Sequence, residues 1–402
     1  MSQRSAGTLA LPWSTVSPRA PKRVGMDHVL LFVTIALTLV GLVMVFSASA
    51  VVADQKHQDS WHFVKRQLVW LALGLVFLHV MSRVDYVWWK RLALPLLGLI
   101  TALLVMALIP SIGVMRNGAR RWLDLRVISI QPAEMAKLIG VIYLAAYLAK
   151  KEDRLQHFST GLLPVLLVIG VLSGLILLEP DLGTVVVLGL VMGGLLFVGG
   201  ARLSHLSTLA LSAVPIGLAL VLTSGYRRQR LMAFLEPWRD ASDTGFQITQ
   251  SFLAFGSGGL FGVGLGEGKQ KLFFLPEAHT DFVLALVGEE MGFVGTGIIV
   301  LFFALFVLRG FQISTRARIP FGRYLGIGIT TLIGIQALIN ACVVTGLLPT
   351  KGLTLPFVSY GGSSLVISLT GVGILLNISR DRQAGREETS RQSGRGWASR
   401  RR

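Results

Sequence analysis

The sequence is short of charge, of acid above all, and of cysteine. Only 15% of its 402 residues are Asp, Glu, Lys or Arg, and 21 acidic residues stand against 38 basic ones. With 52% hydrophobic residues and a mean hydropathy of +0.65, that shortage excludes a single soluble core, because one core cannot hide so much apolar surface. The one cysteine, Cys342, lies in an apolar run, so no disulfide forms within the chain and core packing is its expected role. A cleavable leader is also lacking: the apolar run from Val29 is too long, and no small-residue cleavage pattern follows it, so the first helix is expected to stay.

What the chain has instead is long apolar runs. Helices that cross about 30 Å of hydrocarbon need roughly 17 to 25 residues, and such runs recur along nearly the whole length. Ten are predicted, at residues 29–50, 67–81, 92–109, 131–149, 162–178, 182–200, 206–222, 282–308, 324–345 and 355–378. They are continuous rather than alternating, which argues against strands, and a helix bonds its own backbone where lipid offers no partner. The expected fold is an all-α integral membrane bundle of ten transmembrane helices over residues 29–378. A large outer loop, residues 223–280, separates the seventh and eighth, and basic tails, 1–28 and 379–402, flank the bundle.

A net charge of +17 raises nucleic acid as a partner, and its distribution answers the question. With both tails on the cytoplasmic side, as an even number of spans allows, 23 of the 38 basic residues fall on that side, among them Arg83, Arg154, Arg202, Arg309 and Arg323. This is the positive-inside pattern, and no nucleic acid is expected. The tails, rich in Arg and Ser, are expected to be disordered and to touch anionic lipid or partners. The outer side still carries Arg116, Arg120, Arg121 and Arg126 in one loop, and Arg227, Arg228, Arg230, Arg239, Lys269 and Lys271 in the long one. Either these meet lipid headgroups, or they line a site for a phosphorylated, membrane-borne ligand that paired guanidinium groups match.

Ionisable groups at membrane depth are costly and therefore candidates for function. In Gln131-Pro132-Ala133-Glu134-Met135-Ala136-Lys137, Pro132 suits the first turn of a helix, and Glu134 and Lys137 then share a face. They form either a structural ion pair or a site in which Lys137, with Arg120 and Arg121 above it, faces a cavity and binds pyrophosphate. In Glu179-Pro180-Asp181-Leu182-Gly183-Thr184, Asp181 either caps the next helix or joins Glu179 in holding a divalent cation.

Phe246 to Phe255 of the outer loop reads as an amphipathic, interfacial stretch, followed by seven glycines between Gly256 and Gly268. No G-x-G-x-x-G spacing occurs there and Gly268-Lys269 precedes Gln270, so a nucleotide loop is excluded and the glycines are read as turns lining a groove. The loop ends at His279-Thr280-Asp281-Phe282, at the mouth of the eighth predicted span, with Glu289 and Glu290 two turns deeper. Asp281 is either the N-cap of that helix or a general base.

Asn340 to Ser364 reads NACVVTGLLPTKGLTLPFVSYGGSS, which resembles the signature near the C-terminus of the SEDS family. The resemblance extends to Gly118-Ala119-Arg120-Arg121-Trp122, Gln131 to Glu134, Glu179 to Thr184 and nearly all of Tyr226 to Gly292, and about 350 residues in all are covered. It implies a peptidoglycan glycosyltransferase of the bacterial inner membrane that polymerises lipid II in an outer-face cavity, releases undecaprenyl pyrophosphate and uses no nucleotide. The family's essential acid falls on Asp281. Its substrate-binding residues fall on Arg120, Arg121, Lys137 and Arg66, joined by Glu134, Lys351 and Ser359, while Glu179, Asp181 and Glu289 are expected to be structural or metal-assisting.

In the chemistry so implied, Asp281 takes the proton of the acceptor GlcNAc 4-hydroxyl as that oxygen attacks the anomeric carbon of the donor MurNAc, giving a β-1,4 link. Cationic side chains, with or without a divalent cation such as Mg or Mn, stabilise the departing pyrophosphate. The expected partners are a class B penicillin-binding protein, a transpeptidase, and other divisome membrane proteins at the septum. The Pro-Glu-Ala-His-Thr-Asp form and the tails are more similar to the division-type branch than to the elongation type. A lipid II flippase and a non-catalytic scaffold are the alternatives, and the lack of a convincing internal repeat disfavours a transporter.

Overall fold

The computed structural model describes residues 25–116, 118–124, 129–151, 154–241, 243, 245–272, 274–276 and 278–399. Nearly all of the N-terminal tail, together with Arg126 and Glu277, lies outside these residues. Three helices come first: α1 (His28–His57), α2 (His62–Arg83) and α3 (Val87–Leu108). After a small sheet, β1 (Gly113–Arg116), β2 (Ala119–Asp124) and β3 (Ser129–Ile130), the chain enters α4 (Pro132–Lys151), α5 (Leu163–Leu178), α6 (Leu182–Val198) and α7 (Leu203–Leu222). Two helices, α8 (Gly225–Leu235) and α9 (Phe246–Gly258), occupy the long loop, and α10 (Val283–Glu290), α11 (Gly292–Thr315), α12 (Pro320–Val344) and α13 (Gly362–Ser399) complete the chain.

Nine described helical segments have the length and apolarity of membrane spans, and α6, at 17 residues, is a shorter apolar helix. The ten expected spans therefore correspond to nine such segments and one shorter one, in a multi-pass membrane protein. At the centre stand α4, α12 and α13, with 72%, 67% and 78% of their apolar windows buried, whereas α7 buries none and faces outward throughout. Small residues let the central helices approach: Gly326 and Gly328 of α12 face Ser314 and Val141. At the end of the bundle away from the sheet, Asp27 caps α1 by accepting from Leu30 N (3.0 Å), pairs with Arg309 (2.9 Å) and receives Ser379 Oγ at its own N–H.

The structure corrects four expectations. The first outer loop, where no strands were expected, holds an antiparallel sheet in the order β1-β2-β3, with a register shift between Val114 and Met115. The strands lie outside the spanning helices, so the argument against strands in lipid still holds for the spans. Second, the run 282–308 is two helices, because the chain turns at Met291 and Gly292, the latter at φ +67°. The glycine loop crosses this break: Val263 and Gly264 N–H donate to the carbonyls of Glu289 and Glu290, while Phe293 and Val294 N–H donate to Gly259 and Leu260. The glycines thus bond backbone groups that the break would leave open.

Third, the last span begins at Gly362 rather than 355. Residues 350–361 form a buried irregular segment in which Leu355, Phe357 and Val358 lie among helices and the backbone of Phe357 and Val358 rests against Gly41 of α1. Non-helical chain at such depth is tolerated because protein, not lipid, surrounds it. Fourth, α13 runs on to Ser399, beyond the predicted end of the last span at 378. The stretch expected to lie at the interface, α9, packs on α10 and α11, with Ser251 Oγ donating to Val344 O at the end of α12 (2.7 Å).

Candidate active site

Asp281 precedes α10 by two residues, and it is not the cap of that helix. The N-cap position is Phe282, and no side-chain cap bond forms there. Asp281 is half-buried, and its backbone carbonyl accepts from Asn340 Nδ2 (2.8 Å), which also donates to Leu353 O (2.7 Å). A Cβ added to Gly352 would stand 3.2 Å from Asp281 Oδ2, so the 350–354 segment passes directly beside this carboxylate. Two residues upstream, His279 O accepts from Tyr360 N (2.9 Å), and Phe63 of α2 packs on both rings with centroids at 4.9 and 5.3 Å. Residues 279–281 are therefore stitched to 352–360. Arg66 is exposed one turn beyond Phe63 on the same face of α2.

Lys351, next to Gly352, is half-buried near Asp181; burial lowers its ammonium below the ordinary lysine range while Asp181 draws it back up. Asp181 is the N-cap of α6, as one reading of the sequence had it: Thr184 N donates to Oδ1 (3.0 Å) and Thr184 Oγ1 to Oδ2 (2.9 Å). Glu179, two residues before, is 0% exposed and neither carboxylate oxygen has a hydrogen-bond partner among the described residues. Burial, with the Asp181 charge behind it, pushes its carboxyl up to about 8, and Arg121 offsets this only in part. The Arg121 guanidinium is aimed at the main chain instead, donating to Glu179 O (2.7 Å) and Pro180 O (2.8 Å).

This carboxyl makes stability depend on pH. Its folded value lies above the ordinary 4.5, so the stability it contributes is complete below about 4.5 and is lost as pH climbs through about 8. Glu179→Gln cannot ionise. The melting temperature of the variant should match the wild type near pH 5, exceed it increasingly towards pH 8 and hold a constant lead above; melting curves across that range that stay parallel would refute the assignment.

Lys137 does not face an open cavity. It is 1% exposed, its Nζ donates to Glu134 Oε1 (2.8 Å) and Gln336 Oε1 (2.7 Å), and the space beside it, lined by Glu134, Ser368 and Gly371 among others, is about 10 Å³, room for about one water. The pair is the structural alternative that the sequence left open. Arg120, half-buried on β2, makes no hydrogen bond or ion pair with any described residue. Ser359 is 3% exposed and its Oγ accepts from Leu355 N (2.9 Å), which turns it inward to the loop rather than toward a ligand.

Glu289 and Glu290 fix the glycine loop. Lys269 N (2.8 Å) and Gln270 N donate to Glu289, while Glu290 accepts from Gly266 N (3.0 Å), Ser47 Oγ and Lys271 Nζ (2.8 Å). Among the described residues, no three His, Cys, Asp or Glu side chains gather as metal ligands. Asp181 has both oxygens in a cap and Glu289 both oxygens on backbone amides, so a cation caged by protein alone does not fit these residues. Gln336, Asn340 and Gly352 escaped the sequence reading. A signal for the first two was present, because amides four residues apart inside an apolar run are as conspicuous at membrane depth as charges are.

The family model described as FtsW, RodA and SpoVE, cell cycle protein, matches residues 27–384. A probable peptidoglycan glycosyltransferase FtsW of Geobacter sulfurreducens is 49% identical over 353 residues, 88% of this chain and 95% of that relative. Stage V sporulation protein E of Bacillus subtilis is 43% identical over 363 residues, 89% of this chain and 98% of its own. Among solved structures, a chain from a peptidoglycan synthase complex that coordinates polymerization and crosslinking superposes with a TM-score of 0.74 at 29% identity, covering 89% of this chain and 99% of that one. Rod shape determining protein RodA of Thermus thermophilus superposes with a TM-score of 0.64 at 30% identity, over 89% of this chain and 98% of that one.

Proposed function

The chain belongs to the SEDS family, the cell cycle proteins typified by FtsW, RodA and SpoVE, and from that premise we propose how its residues carry the family's reaction. It is a peptidoglycan glycosyltransferase. The substrate is lipid II, polymerised at the outer face of the inner membrane during septal wall synthesis, with both termini cytoplasmic. A class B penicillin-binding protein works beside it and crosslinks the new strands, a reading supported by the likeness to a chain of a peptidoglycan synthase complex.

The observation that carries the reading is the setting of Asp281. It is half-buried, stands one residue before the N-cap position of α10, and its carboxylate lies against Gly352, next to Lys351. A carboxylate so placed serves as general base toward the acceptor hydroxyl. Lys351 and Arg120 supply positive charge for the departing pyrophosphate, with Arg66 at the rim. A divalent cation such as Mg or Mn would have to come with the pyrophosphate and be held by its oxygens, since Glu179 is enclosed and Asp181 is committed to its cap; its contribution would be charge neutralisation, and no step here depends on it.

Arg120 and Arg121, treated alike by the sequence, should separate on test. Arg120→Ala is expected to raise KM for lipid II several-fold with an unchanged melting curve. Arg121→Ala removes two charge-assisted bonds to the 179–180 turn and should lower stability by about 1–3 kcal/mol. Equal KM effects with no difference in melting would undo this division. The function itself is tested with the purified protein and its transpeptidase partner in detergent, supplied with labelled lipid II and scored for polymer on a gel. A ladder of glycan strands is expected; no polymer from a complex confirmed intact would count against the enzyme reading.

A further inference from the structure

Gln336 and Asn340 stand one turn apart on the same face of α12, 4% and 1% exposed. Amides buried at this depth are costly unless they are bonded, so what they hold is informative. Gln336 accepts from Lys137 Nζ (2.7 Å) and donates through Nε2 to Thr354 O (3.1 Å). Asn340 directs both hydrogens of Nδ2 at main-chain carbonyls, Leu353 O (2.7 Å) and Asp281 O (2.8 Å). The two side chains thus grip consecutive carbonyls, 353 and 354, and one of them reaches across to the residue assigned as base.

The chemistry of the amide fixes its orientation. Both neighbours of Asn340 are acceptors, so only an NH₂ group turned toward them avoids repulsion. Its Oδ1 is then left buried with no partner among the described residues. A position that served only to pack α12 would be filled more favourably by an apolar side chain, because an orphaned buried acceptor costs stability. The expense is intelligible where two segments 72 residues apart in sequence, at 281 and 353, have to be kept in register.

We infer that Asn340 is a positioning residue for glycosyl transfer: it fixes the carbonyl of Asp281 against Leu353, and so holds the Asp281 carboxylate at a set place against Gly352, with Gln336 tying the same segment to the Glu134–Lys137 pair. This rests on Asp281 being the base. A carboxylate displaced by even about 1 Å from the attacking oxygen loses a large part of its effect, up to about a hundredfold.

The test uses the full chain with its transpeptidase partner in detergent, as Asn340→Ala and as Asn340→Ser, which keeps one donor. Three quantities are read: kcat and KM for lipid II, the melting temperature, and hydrogen exchange without substrate over residues 279–285 and 350–355. For Asn340→Ala, kcat should fall about ten- to a hundredfold with KM within about twofold, and exchange should rise in both segments together while α4 and α6 stay as in the wild type. Asn340→Ser should lie between the two. The inference is overturned by wild-type kcat in Asn340→Ala, by unchanged exchange in the two segments, or by failure of both variants to fold, which would make Asn340 a packing residue. If instead Asp281→Asn proves active, the base assignment is what fails, and the exchange measurement still decides whether Asn340 joins the two segments.

Discussion

Lys137→Ala is expected to produce the largest loss of stability of any single change at the site, about 3–5 kcal/mol, because it strips a largely buried carboxylate of its counter-ion. Glu134 would remain beneath the sheet without a cation, and Gln336 would lose the donor that fills its Oε1. Melting in detergent checks the magnitude. Polymer should fall as well, but for a conformational reason: Gln336 carries the disturbance to Thr354 O and so to the segment that holds Lys351. The pair Glu134→Gln with Lys137→Met separates this from direct contact with substrate. It removes both charges at once, and replacing a buried ion pair by uncharged groups of similar size is often neutral. Most of the melting temperature and most of the polymer should return together. A double variant that melts like the wild type yet makes no polymer would restore Lys137 to the substrate site.

That outcome turns on something the sequence shows only by half. Spacing alone places Glu134 and Lys137 on one face of a helix, and Pro132 fixes where the helix begins. Whether the face meets a cavity or a neighbouring helix is a matter of packing, and it is Gln336, 199 residues further on, that closes the ammonium from the other side. The carboxylates make the same point in opposite directions. Asp181 and Asp281 both stand where a cap is plausible, yet Asp181 receives Thr184 N and Oγ1, whereas at Asp281 the helix starts one residue too late for the side chain to reach. Register of one or two residues at a helix start lies below what hydrophobic pattern resolves.

The apolar runs were legible because lipid imposes a length on them, and five of the ten appear as helices within four residues of the predicted bounds at both ends. The departures occur where backbone groups are satisfied by protein rather than by the helix itself. The break at Gly292 is covered by the glycine loop, and the segment 350–361 is held by Gln336, Asn340 and Ser359. Hydropathy carries no record of such tertiary bonds, so a run of apolar residues reads as one helix whether or not it is continuous. Five of the seven glycines between Gly256 and Gly268 lie in the loop, while Gly256 and Gly258 end α9, and the bonds of Val263 and Gly264 to the carbonyls of Glu289 and Glu290 depend on partners more than twenty residues away.

Asp281→Asn should abolish polymerisation while leaving the fold intact. Asparagine preserves size, and the backbone carbonyl that accepts from Asn340 is untouched. The N-cap position of α10 is the next residue, Phe282, so the change does not fall on the cap. The melting curve and the pull-down of the transpeptidase partner should therefore match the wild type. What disappears is the proton acceptor: an amide oxygen is far too weak a base to take the hydroxyl proton as the sugar oxygen attacks, and loss of such a group costs about a hundredfold to ten-thousandfold in rate. Lipid II should still bind, since Lys351 and Arg120 keep their charge. The measurement is polymer formed from labelled lipid II in detergent by the variant and the wild type, each with the wild-type partner and at matched concentration. A flippase would make no polymer in either form, there being no membrane to cross, and a scaffold would be indifferent to the change. Wild-type polymer from Asp281→Asn would remove this carboxylate from the mechanism and leave the half-buried Lys351 segment without the base it lies beside.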